Sequence, residues 1–137
     1  DAGEDPKKAQ TVHRPLDILL AEDNPMNQKV AVKMLSKLGH TITIANNGKE
    51  AVESFEANNF DLVLMDVQMP EMDGIAATIA IRKREIDAQK RIPIIALTAS
   101  AMKGDKERFL AAGMDDYLSK PFKKDDLVTT IHKLSPS

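Results

Sequence analysis

Apolar residues along this chain fall into two alternating rhythms. Residues 16–21 (LDILLA), 62–65 (LVLM) and 92–97 (IPIIAL) are nearly unbroken apolar runs, the pattern of strands covered on both faces of a parallel sheet. Pro93 is tolerable near the start of its strand. Residues 41–45 (TITIA) alternate, which predicts a more exposed strand, and residues 117–119 (YLS) predict a short fifth one. Between these runs the apolar spacing becomes helical. Asn24 as N-cap with Pro25 at the first helical position starts a helix whose buried stripe is expected to be Val30, Ala31, Met34, Leu35 and Leu38, ended by Gly39. Asn47 caps a second helix that turns Ala51, Val52 and Phe55 inward. After Asp73 and Gly74 a third helix runs through Ile75 and Ile79 into a very polar segment, residues 82–91, expected to be a solvated helix end and loop. Residues 102–112 form a weakly amphipathic fourth helix with Gly104 inside it, a position that costs about 1 kcal/mol relative to alanine. Leu127, Val128, Ile131 and Leu134 give the last helix its stripe.

Five strands alternating with five helices predict a parallel sheet with right-handed crossovers. The most apolar strands, the first, third and fourth, belong in its middle, and the alternating second strand at an edge. The order 2-1-3-4-5 satisfies this: an α/β, flavodoxin-like, doubly wound (βα)5 three-layer sandwich with its switch point between strands 1 and 3. That topology gathers the ends of the strands, Glu22 and Asp23, Asp66, Thr98 and Lys120, at one edge of the sheet.

Composition narrows the classes. The chain has 137 residues, 42% hydrophobic and 29% charged, as one domain with an ordinary core requires. Its net charge of −2 with no basic stripe argues against a nucleic-acid surface. Without cysteine there is no disulfide framework or thiolate chemistry, which fits a cytoplasmic setting. No run is long enough to span a membrane and there is no signal peptide, so the domain is expected to make no direct membrane contact. Residues 1–15 are polar and read as a flexible linker or tail, leaving residues 16–137 as the folded domain. Because the chain begins at Asp1, a fragment of a longer protein is expected, although processing would produce the same start.

The chemistry centres on Asp66, a carboxylate where a buried strand emerges, costly unless paired. It is either the reactive group or a surface turn residue. Glu22 and Asp23 favour a helix N-terminus in their own right, Thr98 suits a strand end, and Lys120 before a proline can simply be solvated. Their convergence at one edge shifts the balance. Three neighbouring carboxylates stay ionised only with a cation among them, and an open, all-oxygen site suits Mg²⁺ (or Mn²⁺). A carboxylate can attack phosphorus, with Lys120 and Thr98 offering a charge and a hydroxyl to the phosphate oxygens. Each part fits phosphoryl transfer onto Asp66.

Four blocks, LLAEDNPMNQKVA, FDLVLMDVQMPEMDG, PIIALTASAM and GMDDYLSKPF, together resemble the receiver (response regulator) domain of two-component phosphorelay signalling. They are most similar to the receivers of hybrid sensor histidine kinases, over about residues 16–134. The resemblance implies Asp66 as phosphoacceptor, with Asp23 and the Gln68 main-chain carbonyl binding Mg²⁺ directly and Glu22 mostly through water. It implies Thr98 as switch hydroxyl, Tyr117 as the coupled aromatic, Lys120 as the phosphate-contacting base, and a cis bond before Pro121. Glu22, where many receivers carry Asp, lengthens one arm of the acidic pair. The implied donor is a histidine kinase or histidine phosphotransfer domain. The domain itself is expected to be a monomer or weak dimer, whether or not its parent is membrane-attached. Met26, off the centre of the first helix's stripe, and Pro121 and Phe122 in the loop after the fifth strand are the expected docking residues. A stand-alone or output-trimmed regulator is the alternative. An aspartyl-phosphate phosphatase is disfavoured, because Gln68, two residues past Asp66, cannot titrate.

Overall fold

The computed structural model describes residues 15–69, 72–88, 91–99, 103–120 and 123–134. The tail expected over residues 1–15 lies outside them except for Pro15, and so do Pro121, Phe122 and the bond between Lys120 and Pro121. Strands β1 (Asp17–Ala21), β2 (Thr41–Ala45), β3 (Leu62–Asp66), β4 (Ile94–Thr98) and β5 (Asp116–Ser119) alternate with helices α1 (Pro25–Lys37), α2 (Gly48–Ala57), α3 (Gly74–Ala88), α4 (Lys103–Ala112) and α5 (Lys124–Leu134). All strand pairs are parallel, in the expected order β2-β1-β3-β4-β5.

Alternation along each central strand makes two cores. Leu19, Val63, Met65, Ile94 and Ala96 face one side with Ala51 and Val52 of α2, Ala77 and Ile81 of α3 and Phe109 of α4. Ile18, Leu20, Leu62, Leu64, Ile95 and Leu97 face the other with Ala31 and Leu35 of α1 and Leu127 and Ile131 of α5. Both faces covered is why β1, β3 and β4 read as unbroken apolar runs. The edge strand β2 is only partly buried, as its alternation predicts. No helix among the described residues is long and apolar enough to cross a membrane.

Local chemistry sets the element ends. The Asn24 side chain accepts from the Met26 and Asn27 N–H groups at 2.8 and 3.3 Å, that of Asn47 from Glu50 at 2.8 Å, and that of Asp73 from Ala76 at 2.8 Å. Gly39 and Gly113 stop α1 and α4 at φ of 93° and 110°, a conformation costly for other residues.

Two expectations need correction. Val30 does not belong to the buried stripe of α1: it is 50% exposed, whereas Ala31 and Leu35 are buried and Met34 is half-buried. At about 100° per residue, Val30 lies too far around the helix from a face centred on Ala31 and Leu35. The segment 82–91 is solvated only in part: Lys83, Arg84, Ile86, Asp87 and Arg91 are exposed as expected, but Arg82 and Glu85 are not. Arg82 is wrapped in partners, with Glu85 Oε1 at 2.6 Å, Asp115 Oδ2 at 2.9 Å, and the carbonyls of Ile92 and Gly113 at 2.8 and 2.9 Å. Glu85, 3% exposed, accepts the Ile92 N–H through its other oxygen, and Arg91 pairs with Asp115 at 2.6 Å. The enclosed charges of Arg82, Glu85 and Asp115 are tolerated because each has its opposite beside it.

The backbone is tightly packed where α3 begins beside the end of β3. A Cβ on Gly74 would fall 2.2 Å from the Asp66 carbonyl oxygen. Gly74→Ala should therefore destabilise the domain by about 2–3 kcal/mol, despite alanine's better helix propensity. Urea unfolding checks this, and an unchanged midpoint would mean that the turn yields without cost.

Candidate functional site

Each site residue is delivered by the carboxyl end of a strand. Glu22 follows β1, with its N–H bonded to the Ala45 carbonyl at 3.0 Å. Asp66 closes β3 opposite Leu97, and Thr98 closes β4 opposite Ser119. Lys120 follows β5, its N–H donated to the Thr98 carbonyl at 2.7 Å. The sheet thus brings together groups almost a hundred residues apart.

At this edge the Lys120 ammonium lies 2.8 Å from Glu22 Oε1 and 2.9 Å from Asp66 Oδ2. Glu22 and Asp66 are 1% and 5% exposed, while Asp23 is exposed. The remaining oxygens are also engaged: Glu22 Oε2 accepts the Asn24 N–H at 3.1 Å, and Asp66 Oδ1 accepts the Gln68 N–H at 3.2 Å. Carboxylate oxygens of Glu22, Asp23 and Asp66 all lie within 4.8 Å of one another. Three carboxylates and one ammonium leave two net negative charges, a donor set that suits a hard divalent ion.

The protonation balance follows from this geometry. Burial pushes Asp66 up to about 6, the Glu22 charge adds to the rise, and Lys120 opposes it. Burial also works to raise Glu22, but Lys120 and the Asn24 N–H outweigh it and hold the carboxyl below its ordinary value. Burial pulls Lys120 down, yet its bonds to Glu22 and Asp66 more than compensate and keep it above the usual lysine value.

The other expected residues are placed as follows. Thr98 is buried at the end of β4. Tyr117 is half-buried on β5 opposite Ala96, its ring 6.4 Å from that of Phe109 beneath α4. Met26, in the first turn of α1, is 70% exposed. Pro121 and Phe122 lie outside the described residues. Sequence reasoning missed Phe109 and Gln28. The Gln28 side chain donates to the Glu22 carbonyl at 2.6 Å and to Asn46 Oδ1 at 2.9 Å, a long-range link without a local sequence signal.

Because the folded state holds the Asp66 proton more tightly than the unfolded chain does, the stability it contributes is complete below about 3.8. That stability is lost as pH rises through about 6. Asp66→Asn in chelator should therefore be more stable than the parent near neutral pH, by up to about 3 kcal/mol. The advantage should shrink as pH falls toward the ordinary carboxylate range. Urea unfolding across that window checks it, and a pH-independent difference would remove the buried charge as its cause.

The family model described as the response regulator receiver domain matches residues 18–132. The hybrid signal transduction histidine kinase I of Dictyostelium discoideum is 52% identical over 112 residues, covering 78% of this chain. The chain spans 6% of that relative's length. The crystal structure of a sensor histidine kinase receiver domain from Pseudomonas aeruginosa, with a magnesium ion coordinated in its active site cleft, is 46% identical with a TM-score of 0.80. That likeness covers 88% of this chain and 98% of the other. The receiver domain of the Saccharomyces cerevisiae response regulator Ssk1, solved with the histidine phosphotransfer protein Ypd1, is 32% identical with a TM-score of 0.84, covering 90% and 91%. With strand order, acidic edge and family match in agreement, this chain belongs to the response regulator receiver domain family.

Proposed function

We propose that this domain takes a phosphoryl group onto Asp66 from a phosphohistidine and changes conformation in response. The observation that carries the reading is the Asp66 carboxylate, buried at the end of β3 beside Lys120 and within metal-sharing distance of Glu22 and Asp23. In the transfer an Asp66 carboxylate oxygen attacks phosphorus and the bond from phosphorus to the donor's imidazole nitrogen breaks. The electron pair leaves with the imidazole, which is protonated from solvent, and the product is an acyl phosphate on Asp66. The Lys120 ammonium, already 2.9 Å from the acceptor, holds a phosphate oxygen, and the Thr98 hydroxyl donates to another.

Asp23, Asp66 and the Gln68 main-chain carbonyl would hold Mg²⁺ or Mn²⁺ directly, and Glu22 through water, as the family resemblance implies and as carboxylate oxygens within 4.8 Å of one another allow. When bound, the ion neutralises negative charge on the transferred oxygens. Gln68 carries no titratable proton for hydrolysis, so the acyl phosphate decays slowly and the phosphatase reading is not favoured. Movement of Thr98 toward the phosphate, with Tyr117 turning inward beside Phe109, is the switch this arrangement supports. The relatives support placement in a hybrid sensor histidine kinase, and a histidine kinase or phosphotransfer domain as donor.

The docking surface proposed for the donor is the first turn of α1 together with Pro121 and Phe122, which lie outside the described residues. Met26 is exposed in that first turn, and Val30 lines a cleft of about 290 Å³ that ends at Glu22 and Lys120. A transient partner needs such adaptable apolar groups beside the reacting atoms.

Asp66→Asn should abolish labelling by a small acyl phosphate with the fold intact, read by intact mass. An undiminished phosphoryl adduct would move the acceptor elsewhere. Met26→Arg should slow transfer from a phosphohistidine protein about tenfold or more while small-donor labelling is nearly unchanged. Equal loss in both assays would mean that Met26 supports the site and not the docking.

A further inference from the structure

We infer that Gln28 is a positioning residue for the acidic turn, fixing the peptide unit that joins Glu22 to Asp23. The inference rests on the reading of Glu22, Asp23 and Asp66 as a divalent-cation site. Gln28 lies on α1, four residues past the Asn24 cap, and its own N–H continues the helix by bonding to the Asn24 carbonyl at 2.9 Å. Its side-chain amide nitrogen carries two hydrogens, and both have an acceptor. One is the Glu22 main-chain carbonyl at 2.6 Å, the other Asn46 Oδ1 at 2.9 Å. Asn46 is held in turn, because its main-chain N–H and its side-chain amide both donate to Glu50 Oε1, at 2.9 and 3.1 Å. Glu50 belongs to the first turn of α2, where its N–H is capped by Asn47. A brace therefore runs from α2 through Asn46 and Gln28 to the carbonyl of Glu22.

Position in the chain gives that brace its consequence. The Glu22 N–H is fixed by the Ala45 carbonyl, an extension of the β1–β2 ladder. Its carbonyl has passed beyond the ladder, and the next residue is the exposed Asp23. Rotation of the peptide between them would swing Asp23 relative to Asp66 with little change in either core. Only a side chain with two donors on one nitrogen satisfies two acceptor oxygens at once without adding charge. Glutamate there would set its oxygens against two others, and methionine would fill the volume while donating nothing. Groups that orient metal ligands from behind commonly change affinity by about 10–100-fold when removed.

The test is a calorimetric titration of Mg²⁺ into the unphosphorylated domain for Gln28→Met, Asn46→Ala, the double variant and Asp23→Asn. Urea unfolding and small-acyl-phosphate labelling at saturating Mg²⁺ are measured on the same samples. Gln28→Met and Asn46→Ala should each weaken Mg²⁺ binding about tenfold, the double variant no more than the worse single. Unfolding midpoints should stay close to the parent's, and labelling at saturating Mg²⁺ should recover. Parental Mg²⁺ affinity in Gln28→Met, additive losses in the double variant, or an affinity loss that only tracks lost stability would each overturn the inference. Should Gln28→Met fail to fold, Asn46→Ala alone decides by the same two measurements. Parental affinity in Asp23→Asn would instead overturn the cation-site reading itself, whereas a loss there with none in Gln28→Met would remove only the brace.

Discussion

Two carboxylates buried side by side at the end of a parallel sheet would drive it apart, and Lys120 is what allows them to stay. Its ammonium touches both, at 2.8 and 2.9 Å, while its main-chain N–H is tied to Thr98 on the neighbouring strand. One residue just past β5 thereby joins the ends of β1, β3 and β4. The compensation is incomplete, since one positive charge faces three negative ones once Asp23 is included. That residue of negative charge suits the edge to a divalent ion, and under the proposed function the lysine would offset the charge of a phosphate. The same balance leaves Asp66 at about 6, so that its carboxyl is ionised near neutral pH by a smaller margin than an ordinary aspartate.

The opposite edge of the sheet is built on a different principle. There Arg82, Glu85 and Asp115 form a closed ion-pair cluster that also takes up the Ile92 and Ile94 N–H groups and the carbonyls of Ile92 and Gly113. It ties the C-terminal half of α3 to the segments entering β4 and β5. Stability is uneven along a fold, and elements that rearrange come from its less secured parts. Here the entrances of β4 and β5 are clamped by satisfied pairs, whereas the strand exits carry unbalanced charge and a cleft. A change triggered at Asp66 would meet less resistance near Thr98 than near Gly113.

Gly74 and Gln28 show how the acidic edge is held to its shape. Gly74 lets α3 begin against the Asp66 carbonyl, where a side chain has no room. Gln28 reaches across to the Glu22 carbonyl from α1. Neither carries the chemistry, yet both act on the main chain of residues that do. A site built from strand ends needs this, because the ladder that positions Glu22 and Asp66 ends at those residues.

The strand runs, the caps at Asn24 and Asn47 and the sheet order were all legible in the sequence, because they rest on local periodicity and on side chains bonding to their own neighbours. The meeting of Glu22, Asp66, Thr98 and Lys120 was legible too, since a parallel sheet of known order leaves its strand exits nowhere else to go. Tertiary structure decided what depends on partners distant in the chain. Val30 turned outward because the face of α1 is set by what packs against Ala31 and Leu35. Arg82 and Glu85 left the solvated face of their polar segment because Asp115, 33 residues from Arg82, lies opposite. Gln28 became a brace because β2 brings Asn46, 18 residues on, beside it. A charged or amide side chain looks the same in sequence whether water or a partner satisfies it, and only the packed chain decides which.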